Sequence, residues 1–201
     1  LAKALATALA QLPWPKSMRW ASGAMRWARP LHQILALFDH AVLSGADGAP
    51  FAFPLPGMDA LVATDSTVGH RFLGPERFQV TRFADYETKL LEHYVVLDRE
   101  KRKWRILGDA KRRAEEHGLA LVPDDPLLDE VAGLVEWPVV LVGAIDDAVM
   151  GLPPEGRRTT MRANQKYCTL EHPDGKPAPR FVIVANMETA DGGDAIVGGN
   201  E

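Results

Sequence analysis

The chain has 201 residues, with 23 Lys and Arg against 27 Asp and Glu and a formal net charge of −4. A hydrophobic content of 46% and a charged content of 25% leave ample apolar side chain to bury, which excludes disorder as a whole-chain description. The single Cys168 excludes a disulfide scaffold and a zinc cluster built on Cys pairs, and the mild acidity excludes a surface basic all over.

Leu1, Leu5, Leu9 and Leu12 form a helical stripe that Pro13 and Pro15 end. The dense segment Trp14-Pro-Lys-Ser-Met-Arg-Trp20 follows; Met18-Arg-Trp-Ala21 returns at Met25-Arg-Trp-Ala28, a four-residue echo and not a repeat architecture. Residues 32–38 suit a buried strand. Residues 45–56 read as turns around an extended piece, and 60–64 as a further short strand. A helix is expected from Phe83-Ala-Asp85 to about His93, with Leu90 and Leu91 turned inward. Asp98 is a good N-cap for a charged helix over 99–117, which Gly118 closes, with Trp104, Leu107 and Ala114 facing the core. Asp125-Pro126 reads as N-cap and first helical position, followed by Leu127, Leu128, Val131, Leu134 and Val135 at helical spacing. Pro138 stops that helix, and 139–145 is a β-branched strand. Residues 152–165 are expected to be partly helical. Residues 167–171 and 180–185 flank His172-Pro-Asp-Gly-Lys-Pro177 as a hairpin. The fold class is therefore α+β: a mixed, largely antiparallel sheet packed with helices. The expected organisation is one domain over 1–201, with a helical subdomain at about 84–136.

Charge is unevenly spread. No acid precedes Asp39, and the first 38 residues carry Lys3, Lys16, Arg19, Arg26 and Arg29. A second acid-free island, 156–170, holds Arg157, Arg158, Arg162 and Lys166. If the islands share a surface, they steer a polyanion to it; the competing reading pairs each with acids elsewhere. There is no P-loop, dinucleotide fingerprint, G-x-S-x-G elbow or zinc-type His spacing. Cys168 reads as an inert, half-buried thiol, and Asp124-Asp125 and Asp146-Asp147 as structural carboxylates. The lone Cys suits a reducing, cytoplasmic setting, and no apolar run is long enough to cross a membrane. A start without Met and an end at Gly199-Asn-Glu201 suggest a piece of a longer polypeptide.

The remaining polar segments combine cations with aromatic residues: Trp14 to Trp20, Arg29-Pro-Leu-His32, Gly69-His-Arg-Phe72 and Thr159 to Tyr167. Arg and Lys anchor phosphates, Asn and Gln reach base edges or sugars, and aromatic rings stack on exposed bases. The competing view makes Trp14, Trp20 and Trp27 core anchors with snorkelling Arg neighbours.

Taken in order, Pro15-Lys-Ser-Met-Arg-Trp20, Arg29-Pro30 with His32, Gly69-His-Arg-Phe72, Leu134-Val-Glu-Trp-Pro-Val-Val-Leu141, Leu152-Pro153, Thr160-Met161, Gln165-Lys-Tyr167, Phe181-Val-Ile-Val-Ala-Asn186 and Gly199-Asn-Glu201 form a specific set. The set resembles the β subunit of the bacterial heterotetrameric glycyl-tRNA synthetase, in its N-terminal half. Cys168, Gly156 and Trp27 depart from the family pattern as packing changes. The resemblance implies a region like the B3/B4 module of phenylalanyl-tRNA synthetase, which there hydrolyses mischarged tRNA. It implies an α2β2 holoenzyme whose α subunit holds the aminoacylation site with its ATP and Mg2+, while β recognises tRNA(Gly); this piece alone then binds no cofactor and charges no tRNA. Expected tRNA contacts are Lys16, Arg19, Arg26, Arg29, His32, His70, Arg71, Arg157, Arg158, Arg162, Gln165 and Lys166. No catalytic or metal-binding residue is expected. Two other readings rank below a tRNA module: a scaffold for α/β assembly, then an editing-like hydrolase with a water-positioning pocket near His70 or Asn164-Gln165.

Overall fold

The computed structural model describes residues 1–19, 26–55, 59–145, 159, 161–193 and 196–197. Trp20, the echo that ends at Ala28, Asp146-Asp147, Arg157, Arg158, most of the expected helix over 152–165 and Gly199-Asn-Glu201 lie wholly or partly outside the described residues. The chain divides into two compact units, Leu1–Lys89 and Leu90–Glu201. Each is built from a mixture of helices and mostly antiparallel sheet, as the α+β expectation requires.

In the first unit, helix α1 (Ala2–Gln11) buries Ala6 against Leu43, Phe53 and Ala63, with Ala2 and Leu9 packed at the edge of that cluster. Leu12, just before Pro13, already has extended geometry, as sterics before proline dictate. A short ladder joins β1 (Met18–Arg19) to β2 (Arg26–Trp27). Strand β3 (Ile34–Leu35) pairs in parallel with β7 (Leu61–Thr64), whose other edge takes β6 (Ala52–Phe53) in antiparallel register. Strands β4 (Leu37–Phe38) and β5 (Ala41–Val42) form a separate hairpin, as do β8 (Ser66–Val68) and β9 (Arg77–Gln79).

The single buried strand expected over 32–38 is therefore two short strands with different partners. The break comes from Asp39-His40, both at positive φ (50° and 65°), which form the two-residue turn that a tight hairpin prefers. That turn draws Leu37 and Phe38 away from β7, and Phe38 ends exposed.

Helix α2 (Phe83–Glu92) begins where the Asp85 carboxylate accepts from the Thr81 backbone amide at 2.9 Å. Together with the Lys89 ammonium (3.0 Å), that hydrogen bond holds the Asp85 carboxyl below its ordinary range. Leu90 is buried, but Leu91, about 100° further round the helix, is exposed and not inward.

The second unit is a four-stranded antiparallel sheet, in the order β10 (Ala120–Leu121), β12 (Cys168–Glu171), β13 (Pro177–Ala185), β11 (Val139–Ala144). Helices α3 (Arg99–Glu116) and α4 (Asp125–Ala132) pack with it around a common apolar cluster. Asp98 caps α3 by accepting from the amides of Glu100 and Lys101, and Gly118 takes the left-handed conformation that ends it. The inward stripe of α3 is Ile106, Ala110 and Ala114, all fully buried. Trp104 is about 200° round the helix from Ile106 and is exposed, contrary to the core role read from the sequence. The N-cap of α4 is Asp124, one residue before the expected Asp125, because Asp124 Oδ1 accepts from Leu127 N at 3.1 Å. Leu134 lies past the helix end and is exposed, not inward. The hairpin over 168–185 forms with its turn at His172-Pro-Asp-Gly, where Gly175 supplies a positive φ of 81°.

Candidate nucleic-acid interface

The N-terminal segment leaves α1 through Pro13-Trp-Pro15, and the Trp14 ring meets Trp27 edge-on, centroids 5.0 Å apart. This contact fixes the ladder in which Met18 lies opposite Trp27 and Arg19 opposite Arg26. Like charges directly opposite each other repel. Arg26 turns aside to donate to Ser17 Oγ (3.0 Å) and to the Ser17 carbonyl (3.3 Å). Arg19 has no ion pair among the described residues, and Lys16, Arg29 and His32 are exposed. With no acid before Asp39 and no ion pair to Arg19 or Arg26 among the described residues, this ladder is a small positive surface beside two indole rings, of which Trp14 is exposed. Guanidinium and ammonium groups so placed can hold phosphate oxygens, and an indole can take a base.

His70, expected to meet phosphate, is instead 1% exposed. Its Nδ1 accepts from the amides of Phe72 (3.3 Å) and Leu73 (3.2 Å), while its carbonyl accepts from Gly74 N at 3.0 Å. The ring thus supports a turn that presents Arg71 and Phe72 outward. Phe72 is 65% exposed, and the Arg71 guanidinium stands 5.5 Å from its centroid. An exposed aromatic ring can take the face of an unpaired base, and a neighbouring guanidinium can add a cation–π contribution.

The second basic island behaves differently. Arg162 makes a two-pronged ion pair with Asp124, with its second nitrogen 3.1 Å from Oδ1, and that carboxylate raises the guanidinium's hold on its proton. Lys166, at a positive φ of 59°, reaches Glu130 at 3.0 Å and donates to the Ala163 carbonyl. Gln165 is exposed. The two described cations of this island are therefore matched by acids of the α4 segment, as the competing charge reading holds. Arg157 and Arg158 lie outside the described residues.

The late motifs are architectural. Asn186 Oδ1 accepts from the amides of Glu136 (2.6 Å) and Trp137 (3.0 Å), so Glu-Trp-Pro and Val-Ala-Asn clasp each other at the ends of β11 and β13. The Arg105 guanidinium lies 4.1 Å from the Trp137 ring centroid. Arg102 spans three carbonyls, those of Val96, Leu97 and Ala132, at 2.6–2.9 Å. The sequence reading missed both roles, because the charged face of α3 reads as solvated until its neighbours are known. Tyr167 stacks on Phe181 at 4.2 Å, and its hydroxyl is buried without a hydrogen-bond partner among the described residues. Burial, aided by the charge of Asp124, pushes the Cys168 thiol up to about 11, which makes it inert as expected.

The family described as glycyl-tRNA synthetase beta subunit matches residues 1–201. The chain is 51% identical to a glycine–tRNA ligase beta subunit of Rhodospirillum centenum over 207 aligned positions, covering 96% of this chain and 29% of the relative. It is 46% identical to those of Ruegeria sp. and Cereibacter sphaeroides, covering 100% of this chain and 28% of each relative. The chain thus spans under a third of the length of these curated relatives.

Proposed function

Because the chain belongs to the glycyl-tRNA synthetase beta subunit family, we propose that it is a tRNA-recognition part of a glycine–tRNA ligase, supporting ATP-dependent attachment of glycine to tRNA(Gly). In this reading it works in the cytoplasm within an α2β2 holoenzyme, the α subunit holds glycine, ATP and Mg2+, and this chain contributes no catalytic group. The region corresponds to the B3/B4-like part of β. The observation that carries the reading is the acid-free segment of the first 38 residues, whose described cations Lys3, Lys16, Arg19, Arg26 and Arg29 are all exposed, Arg19 and Arg26 in the ladder beside the Trp14–Trp27 pair.

These side chains would bind the tRNA backbone, not reacting atoms. Their substitution therefore moves the KM for tRNA and leaves those for glycine and ATP in place. In the holoenzyme, Arg19→Ala and Arg29→Ala are each expected to weaken tRNA binding several-fold at low salt and to shallow its salt dependence by about one counterion per cation. Unchanged tRNA affinity at low salt in the double variant overturns the reading. Buried His70, with Nδ1 already accepting two amides, lends no support to a hydrolytic water site there.

A further inference from the structure

Within the first unit, a cleft of about 440 Å³ opens between the β4–β5 hairpin and the start of α2. Its floor is apolar, formed by Leu35, Leu37 and Val80. One wall is aromatic: Phe83 and Tyr86, with centroids 6.5 Å apart and rings tilted by 56°. Phe83 is 70% exposed, a large ring left in solvent at the cleft mouth. The polar rim is Asp39, His40 and Arg82. None of these residues belongs to the basic ladder, and none is among the tRNA contacts expected from the sequence.

We propose that this cleft receives one unstacked purine base of an RNA strand, guanine in preference to adenine; the RNA source rests on the tRNA reading above. The volume suits a nucleotide, and an apolar floor with an aromatic wall accepts the face of any base. The rim discriminates. His40 Nδ1 lies 3.2 Å from the Thr81 carbonyl, which can only accept, so Nδ1 carries the proton and Nε2 of the neutral ring is an acceptor. The Asp39 carboxylate is acceptor-only as well. Guanine offers two adjacent donors, N1–H and the N2 amine, to such a rim. Adenine offers one donor and places its N1 lone pair against the carboxylate. Arg82 supplies the donor for the nucleotide's phosphate or for guanine O6 and N7. Asp39 and His40 are held by the left-handed turn at the hairpin tip, so the rim is set before a ligand arrives.

The test uses the holoenzyme with two probes: guanosine and adenosine monophosphate in equilibrium dialysis, and tRNA carrying 6-thioguanosine at unpaired positions for photocrosslinking. Asp39→Asn keeps a residue that tolerates positive φ, and Phe83→Ala removes an exposed ring, so neither variant threatens the fold. GMP is expected to bind more tightly than AMP. Each variant is expected to weaken GMP about tenfold, and thioguanosine is expected to crosslink within residues 79–89. GMP binding indifferent to both variants, or no GMP binding and no crosslink there, overturns the cleft. If the cleft variants are silent while Arg19→Ala still weakens tRNA, the cleft falls and the tRNA reading stands. If GMP binding depends on Phe83 and Asp39 in an enzyme whose tRNA never reaches the cleft, the RNA source is overturned.

Discussion

The two units spend their charge in opposite ways. Residues 1–89 hold nine Lys and Arg against seven Asp and Glu, a net of +2; residues 90–201 hold 14 against 20, a net of −6. The first unit has strands of two to four residues and a small core around Phe53. The second has strands of up to nine residues, a larger core, and several cations answered by acids: Arg162 by Asp124, Lys166 by Glu130, Lys103 by Asp129. A cation matched inside its own unit adds little to the outer field. The contrast assigns scaffolding to the described ion pairs of the second unit, and it is the first unit's ladder that the proposed function gives to an external anion.

The most severe way to probe that contrast is Gly143→Ala in β11. A Cβ there would lie 2.3 Å from Phe181 Cζ, and Phe181 is pinned between strands and stacked on Tyr167. Overpacking of this kind costs about 2–3 kcal/mol, read as a fall in the denaturation midpoint. A cost near zero would mean the second unit is not the tightly packed scaffold described here. Asp124→Ala removes the α4 cap and the partner of Arg162, and is expected to cost about 1–2 kcal/mol. If stability is unchanged, the internal matching of the second island is cosmetic.

A pH measurement sharpens the same point. The Cys168 thiol is held to about 11 in the fold against an ordinary 9.0. The unfolded chain therefore loses its proton first, and stability contributed by the neutral thiol is present below pH 9 and lost as pH rises toward 11. The loss from this group is about 2–3 kcal/mol over that window. Asp124→Asn should narrow the window, since the carboxylate adds to the shift that burial begins. Absence of any Cys168-dependent slope, checked against Cys168→Ala, would contradict the burial of this strand. The smallest effect is expected from Tyr167→Phe: the hydroxyl is buried with no hydrogen-bond partner among the described residues, so stability should hold or rise slightly.

Much of this architecture was legible locally. Asp98 with Gly118 and the His172-Pro-Asp-Gly turn carry their own steric and hydrogen-bonding reasons, and each sits where the pattern put it. Pro138 precedes its strand as expected but does not stop α4, which ends at Ala132 with Gly133 as its cap. What the sequence hid was non-local. Nothing near Arg162 announces Asp124, 38 residues away. Nothing in Gly69-His-Arg-Phe72 says that the His folds inward while Arg71 and Phe72 face out. Trp104 looked like core by its chemistry alone, but the stripe of α3 was set by Ile106, Ala110 and Ala114. The acid-free first segment was visible by counting; that Arg19 has no ion pair among the described residues while Arg162 and Lys166 each have one required the fold.

The most direct test of the central claim compares the two islands in one assay. Holoenzyme variants Arg19→Ala with Arg29→Ala, and separately Arg162→Gln with Lys166→Gln, are titrated with tRNA(Gly) across a range of salt. The account predicts that the first pair weakens binding several-fold and lowers the salt slope by about two counterions, while the second leaves the slope unchanged. A loss of slope confined to the second pair would contradict it.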